Sequence, residues 1–285
     1  MIYKTIIKPE DLINILDSDN LIIFDARCDI KDTSYGIDAY NDGHIPNSIF
    51  IDIDNDVASA KGPSTGRHPL PDPEKLSEKL SQWGVDNSKQ IVVYDDAGGA
   101  FAGRVWWIMK WLGHKGGVAV LDGGLSGFLN SGGKLTNKQK SRERSQYEYD
   151  CKHDMHVSIE EVIEAQYKVD VALIDARSKE RYLGIKDPVD PIAGHVPGAL
   201  SQPLGNNLTS KGYFKSPEEL KLIYSKLLGD IESDKIISMC GSGITACHNI
   251  IAMEIAGIKG ARLYVGSWSE WINDPQRPIA KIDNN

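Results

Sequence analysis

A stretch repeated at domain length constrains this chain more than any single motif. Leu21-Ile-Ile-Phe-Asp-Ala-Arg27 returns as Val171-Ala-Leu-Ile-Asp-Ala-Arg177, and Gly43-His-Ile-Pro-Asn-Ser48 returns as Gly194-His-Val-Pro-Gly-Ala199. Ile91-Val-Val-Tyr-Asp95 aligns with Ile236-Ile-Ser-Met-Cys240, and Leu121-Asp-Gly-Gly-Leu-Ser-Gly-Phe128 with Tyr264-Val-Gly-Ser-Trp-Ser-Glu-Trp271. The four matches keep their order at an offset of roughly 150 residues, too long for a solenoid repeat and right for a copied domain. The 285 residues suffice for two such domains, each with its own core. The expected division is an N-terminal domain over 1–135, a linker over 136–155 and a C-terminal domain over 156–285. Polar residues and glycines dominate from about Ser131 to His153, which suggests the linker.

Each copy reads as strands alternating with helices. Val171–Asp175 is apolar up to its last residue, as in a strand buried on both faces. Ser158-Ile-Glu-Glu161 and Ser216-Pro217-Glu218-Glu219 are capping boxes that open helices, and Asp72-Pro73 starts another in the first copy. The expected fold class is therefore α/β, with a parallel sheet flanked by helices on both faces in each domain. Ligands of such sheets bind beyond the carboxyl ends of the strands.

Cys240 stands at one of those ends, where the strand breaks into Gly241-Ser-Gly243 and then into a helix. Backbone N–H groups of such a turn can hold a thiolate or a bound anion, so Cys240 is the candidate nucleophile. The plainer reading, a cysteine buried as a small hydrophobe, does not explain two glycines in one connection. In the first copy Asp95 replaces the thiol, with Asp96 beside it to repel an anion, so that half is expected to be silent. A cysteine-based phosphatase needs an arginine after five intervening residues to neutralise its oxyanion, and Ala246 stands there instead.

The net charge of -8 and a pI near 5.4 argue against nucleic acid or an anionic membrane as the main partner. No apolar run approaches the ~20 residues of a membrane span. The N-terminus reads as a helix pattern without a secretory apolar region. Four cysteines at 28, 151, 240 and 247 lack a disulfide or zinc spacing, which suits a reducing cytoplasm. Cys247-His248 beside Cys240 is better read as helix packing than as a metal site, so no metal is expected. The histidines kept in both halves, His44 and His195, read as structural. Asp25 with Arg27, and Asp175 with Arg177, read as ion pairs at strand ends.

These motifs together resemble the rhodanese-like sulfurtransferases in their two-domain form, in which the C-terminal domain keeps the catalytic cysteine. The likeness spans the whole chain. Cys240-Gly-Ser-Gly-Ile244-Thr245 resembles the Cys-Gly-Ser-Gly-Val-Thr loop of 3-mercaptopyruvate sulfurtransferases, whereas thiosulfate-using enzymes place Arg and Lys after the cysteine. The resemblance implies sulfur transfer from 3-mercaptopyruvate through a Cys240 persulfide to a thiol or cyanide acceptor, a thioredoxin-like protein among the possible thiols. It implies no cofactor. The alternatives are thiosulfate as donor, or a non-catalytic binding module.

The resemblance also assigns residues. Gly241, Gly243, Ile244 and Thr245 would line the donor, and Arg181 would hold its carboxylate or sulfonate by bidentate bonds. Ser242, His68 and Asp54 would form a relay that deprotonates the donor thiol, with His68 and Asp54 supplied by the first half of the sequence. A second substrate arginine is absent from Lys186-Asp-Pro-Val-Asp-Pro, where Lys186 offers a point charge instead. Arg67, next to His68, would add positive potential.

Overall fold

The computed structural model describes residues 2–281. The described residues form two compact units. One gathers the chain up to Ser59, Leu70–His153 and Ser210–Phe214; the other holds Ala60–Pro69, Asp154–Thr209 and the residues from Lys215 on. Each unit thus includes a short segment from the other half of the sequence.

The first unit contains strands β1 (Ile6–Ile7), β2 (Leu21–Asp25), β3 (Ser48–Phe50), β4 (Gln90–Tyr94) and β5 (Val118–Leu121). Between and after them come helices α1 (Pro9–Ile15), α2 (Tyr35–Asp42), α3 (Pro73–Gln82), α4 (Ala102–Trp111) and α5 (Gly124–Asn130). The second unit repeats the plan with β6 (His156–Val157), β7 (Ala172–Asp175), β8 (Leu200–Ser201), β9 (Ile236–Met239) and β10 (Arg262–Tyr264). Its helices are α6 (Ile159–Ala165), α7 (Lys179–Leu183), α8 (Pro217–Leu228), α9 (Ala246–Ile255) and α10 (Ser267–Trp271). The strand orders are β1-β5-β4-β2-β3 and β6-β10-β9-β7-β8, every pair parallel. The duplication read in the sequence is thus one topology used twice.

Local chemistry sets the elements. Both predicted capping boxes close, with Ser158 and Ser216 accepting from the N–H of Glu161 and Glu219 while each glutamate returns the bond. Asp72 caps α3 through Glu74 and Lys75. Strands β2, β4, β5, β7 and β9 are buried at every residue, as apolar strands covered on both faces must be.

The repeated motifs turn out to be fasteners. Arg27 Nη2 donates to Asp25 at 2.6 Å and to Gly43 O at 2.8 Å; Arg177 Nη2 donates to Asp175 at 2.7 Å and to Gly194 O at 2.6 Å. Each arginine therefore ties the end of a strand to its Gly-His turn. Each histidine stacks on a tyrosine, His44 on Tyr40 and His195 on Tyr182, and bonds that tyrosine's carbonyl through Nδ1. The structural readings of these pairs hold.

Residues 136–150 are not a free tether. Thr136 bridges His44, Arg144 pairs with Glu78, Ser145 bonds Val85, and Tyr147 is buried. The polar composition of this stretch reflects an irregular strap whose backbone finds its partners on the surface of the first unit.

Candidate active site

Strand β9 ends at Met239, and the next six residues turn into α9. Cys240 is only 1% exposed, and Ser242 and Ile244 are buried with it, while Thr245 is half-buried at the helix start. The Gly243 N–H donates to Cys240 Sγ at 3.2 Å. Gly243 has φ of 79°, and a Cβ there would lie 2.3 Å from Val265 O. Only glycine fits both demands.

The loop is held from behind by the closing Gly-Ser-Trp-Ser element. Cys240 N–H donates to Ser267 Oγ at 3.1 Å, and the N–H groups of Trp268 and Ser269 donate to Cys240 O at 3.0 Å and Gly241 O at 2.9 Å. Ser267 adopts φ of 52° to make this bracket, a conformation unusual for a residue with a Cβ. Cys247 packs into α9, as expected, and its thiol also bonds Gly243 O at 3.4 Å. Among the described residues no three His, Cys, Asp or Glu side chains are grouped so as to hold a metal ion.

Two guanidinium groups face the loop. A Cβ on Gly241 would meet Arg181 Nη2 and Arg67 Nη2 at 3.0 Å each, so glycine here makes room for both. Arg181 comes from α7. Arg67 comes from the segment 60–69, which packs against the closing element: Arg67 N–H donates to Ser269 Oγ at 3.0 Å, and Asn273 Nδ2 to Thr65 O at 3.0 Å. Gly66 lies so near Gly266 that a Cβ would sit 2.3 Å from its carbonyl oxygen.

Both arginines are paired. Arg67 Nη1 and Arg181 Nη2 donate to the two oxygens of Asp190, the latter at 2.6 Å. Arg181 Nε donates to both oxygens of Asp187 at 2.9 Å. Burial alone would push the Asp187 carboxyl up, but the N–H groups of Asp190 and Val189 and the Arg181 guanidinium hold it below the usual range. Trp268 Nε1 donates to Ile192 O at 2.8 Å, so the element that braces the cysteine loop also braces the aspartate loop.

The candidate residues thus separate into groups. Cys240, Gly241, Ser242, Gly243, Ile244 and Thr245 form one turn, with Arg181 and Arg67 against it. His68 follows Arg67 in the same unit and is half-buried. Asp54 belongs to the first unit, in a turn where its N–H donates to Asp52 Oδ1. Lys186 is exposed beyond α7. Sequence reasoning passed over Asp187 and Asp190, whose Asp-Pro-Xaa-Asp-Pro setting marks a rigid turn without showing what the carboxylates meet.

The matching position in the first unit is filled in another way. Asp95 Oδ1 accepts N–H bonds from Ala97 and Gly99 at 3.0 and 2.8 Å, and Oδ2 from Phe101 and Ala102 at 2.8 and 2.9 Å. The cradle is present and its own carboxylate occupies it. Cys28, in the same unit, is half-buried, and burial together with Asp54 and Asp52 pushes its thiol up to about 12, which disfavours the reactive thiolate. Burial also raises the Cys151 thiol.

Comparison with known proteins gives one consistent result. The rhodanese-like domain matches residues 8–131 and again residues 158–274. A Pseudomonas aeruginosa protein named "Probable 3-mercaptopyruvate sulfurtransferase" is 42% identical over 269 residues, 94% of this chain and 95% of its own length. The thiosulfate sulfurtransferase of Rattus norvegicus is 32% identical over 257 residues, 88% of this chain and 85% of its own. The solved structure of a 3-mercaptopyruvate sulfotransferase from Escherichia coli superposes with a TM-score of 0.80 at 28% identity, covering 93% of this chain and 99% of that one.

Proposed function

This chain belongs to the rhodanese-like domain family, and from that premise we propose that it is a sulfurtransferase whose nucleophile is Cys240 and whose preferred donor is 3-mercaptopyruvate. The observation that carries the reading is the Gly243 N–H donated to the sulfur of Cys240, in a turn faced by two guanidinium groups. A sulfur atom that must bear negative charge before and after reaction wants that N–H, and an anionic donor wants those guanidiniums.

In the proposed reaction the Cys240 thiolate attacks the donor's sulfur. An S–S bond forms, the carbon–sulfur bond of 3-mercaptopyruvate breaks, and the departing enolate takes up a proton to become pyruvate. Cys240 is then a persulfide. A thiol or cyanide attacks its outer sulfur and leaves as persulfide or thiocyanate, which regenerates the thiolate. Arg181, with Arg67, binds the donor's carboxylate, and Gly241, Ile244 and Thr245 line its place. Lys186 contributes long-range positive charge only. Ser242, His68 and Asp54 carry the proton-removing role that the resemblance implies. The first domain, about 1–135, is catalytically silent, and the catalytic domain spans about 156–285. Among the described residues no helix is long and apolar enough to cross a membrane. Cysteines without framework spacing fit a cytoplasmic setting, where a thioredoxin-like dithiol would serve as acceptor.

Thiosulfate is the second reading, favoured by the rat relative and by the lack of an arginine at Lys186-Asp-Pro-Val-Asp-Pro. Mass spectrometry after incubation with each donor tests the core of the proposal, since Cys240 should gain one cyanide-labile sulfur atom. No such adduct with either donor would leave only a binding role. Steady-state kcat/KM then ranks the donors, with 3-mercaptopyruvate expected ahead by at least about tenfold. The His68→Ala variant should lose much more rate with 3-mercaptopyruvate than with thiosulfate, which has no thiol proton to remove.

A further inference from the structure

The two guanidinium groups at Gly241 are not free to meet a donor as bare cations. Asp190 spans them, one oxygen on Arg67 and the other 2.6 Å from Arg181 Nη2. Asp187 takes the Nε of Arg181 and lies 3.6 Å from Arg177 Nη1, while Asp175 holds the other terminal nitrogen of Arg177 at 2.7 Å. Three carboxylates therefore balance three guanidiniums. The side chains of Asp187 and Asp190 are each only 1% exposed, so water does little to screen them.

We propose that Asp190 is a specificity-determining residue, selecting among sulfur donors by their charge. This rests on the sulfur-transfer reading of the site. The carboxylate sits between the two cations that would hold the donor's anionic end, so it repels whatever anion binds there. Coulomb repulsion scales with the product of charges, so at one distance thiosulfate, a dianion, is opposed twice as strongly as 3-mercaptopyruvate, a monoanion while its thiol is protonated. The arginines supply geometry through directed N–H bonds, and Asp190 removes most of the net positive charge that would otherwise favour the dianion. The cysteine loop is neutral in Gly241, Ser242 and Gly243, so the charges that add to its selectivity lie one layer further out.

An ion pair that only shapes the loop would affect both donors alike. The test is therefore a ratio. In Asp190→Asn the isosteric amide keeps an acceptor and removes the charge. The kcat/KM for thiosulfate relative to 3-mercaptopyruvate should rise at least about tenfold. Both donors are assayed on one preparation, so any loss of folded protein cancels. Asp190→Glu keeps the charge and should hold the ratio within about threefold of the parent's. A ratio unchanged or lowered in Asp190→Asn, or raised equally in Asp190→Glu, overturns the proposal. Calorimetric binding of sulfate and of pyruvate reads the same preference without turnover: sulfate should gain on pyruvate in Asp190→Asn, and no gain counts against the proposal. Failure of the parent protein to transfer sulfur would sink the reaction assignment, and these affinities would still decide the role of Asp190.

Discussion

At the scale of the residue, Cys240 and Asp95 answer the same structural question in two ways. Both follow a buried strand of a parallel sheet, and both receive backbone N–H groups from the turn that comes next. The carboxylate of Asp95 is short enough to fill its turn and carries two oxygens to take four donors. Burial pushes that carboxyl up, and the four N–H groups pull the other way. Asp95→Asn tests the arrangement. Its amide nitrogen cannot accept, so two buried N–H groups lose their partner, and stability should fall by about 2–4 kcal/mol in urea denaturation. A loss well under 1 kcal/mol would mean that the turn relaxes around the change. The identity of both residues is legible in the aligned halves. That the Asp95 carboxylate fills its own turn is not, because the direction of four amide groups is a property of the folded turn.

At the scale of the element, the cysteine turn is shaped from outside. Its first two carbonyls, of Cys240 and Gly241, are taken by Trp268 and Ser269 and its leading N–H by Ser267, all in or at the start of α10. Gly243 then has no space for a side chain, with Val265 O where a Cβ would go. Gly243→Ala must move the turn to relieve that clash and the positive φ, which draws the N–H away from the sulfur. We expect kcat/KM to fall by about a hundredfold, the scale of losing one donor to a charged reaction centre. A loss below about tenfold would show that this N–H contributes little to transfer. Helix starts were readable from Ser158, Ser216 and Asp72 because a cap is written within four residues. The strap over 136–150 was not, because polar composition describes exposure and says nothing about which surface an extended chain lies on.

At the scale of the whole molecule, two copies of one topology each incorporate a piece of the other's sequence. The segment 60–69 belongs with the second unit and supplies Arg67 and His68. A fragment beginning at Asp154 would therefore keep Cys240 and the full sheet yet lack one of the two cations at Gly241. It would also leave the buried Asp190 with Arg181 as its remaining partner, which removing half of a buried pair makes costly. We expect such a fragment to unfold at lower urea than the corresponding transition of the full chain, and to retain less than about 1% of its kcat/KM. Retention of near-full activity would show that Arg67 and His68 are dispensable.

By itself the sequence determined the duplication, the α/β class, the matched places of Asp95 and Cys240 in the two copies, and the loop that carries the thiol. These are local or repeated patterns: apolar strands, caps, glycines, and the same motifs in the same order. The folded chain decided what surrounds that loop. Arg67 and Asp190 are 123 residues apart and meet only because the segment 60–69 lies against the closing element of the second sheet. A cysteine loop that reads as neutral in sequence therefore sits beside charges of both signs, nearly balanced. Charge balance at a site is a sum over residues distant along the chain, and only tertiary structure selects which of them enter it.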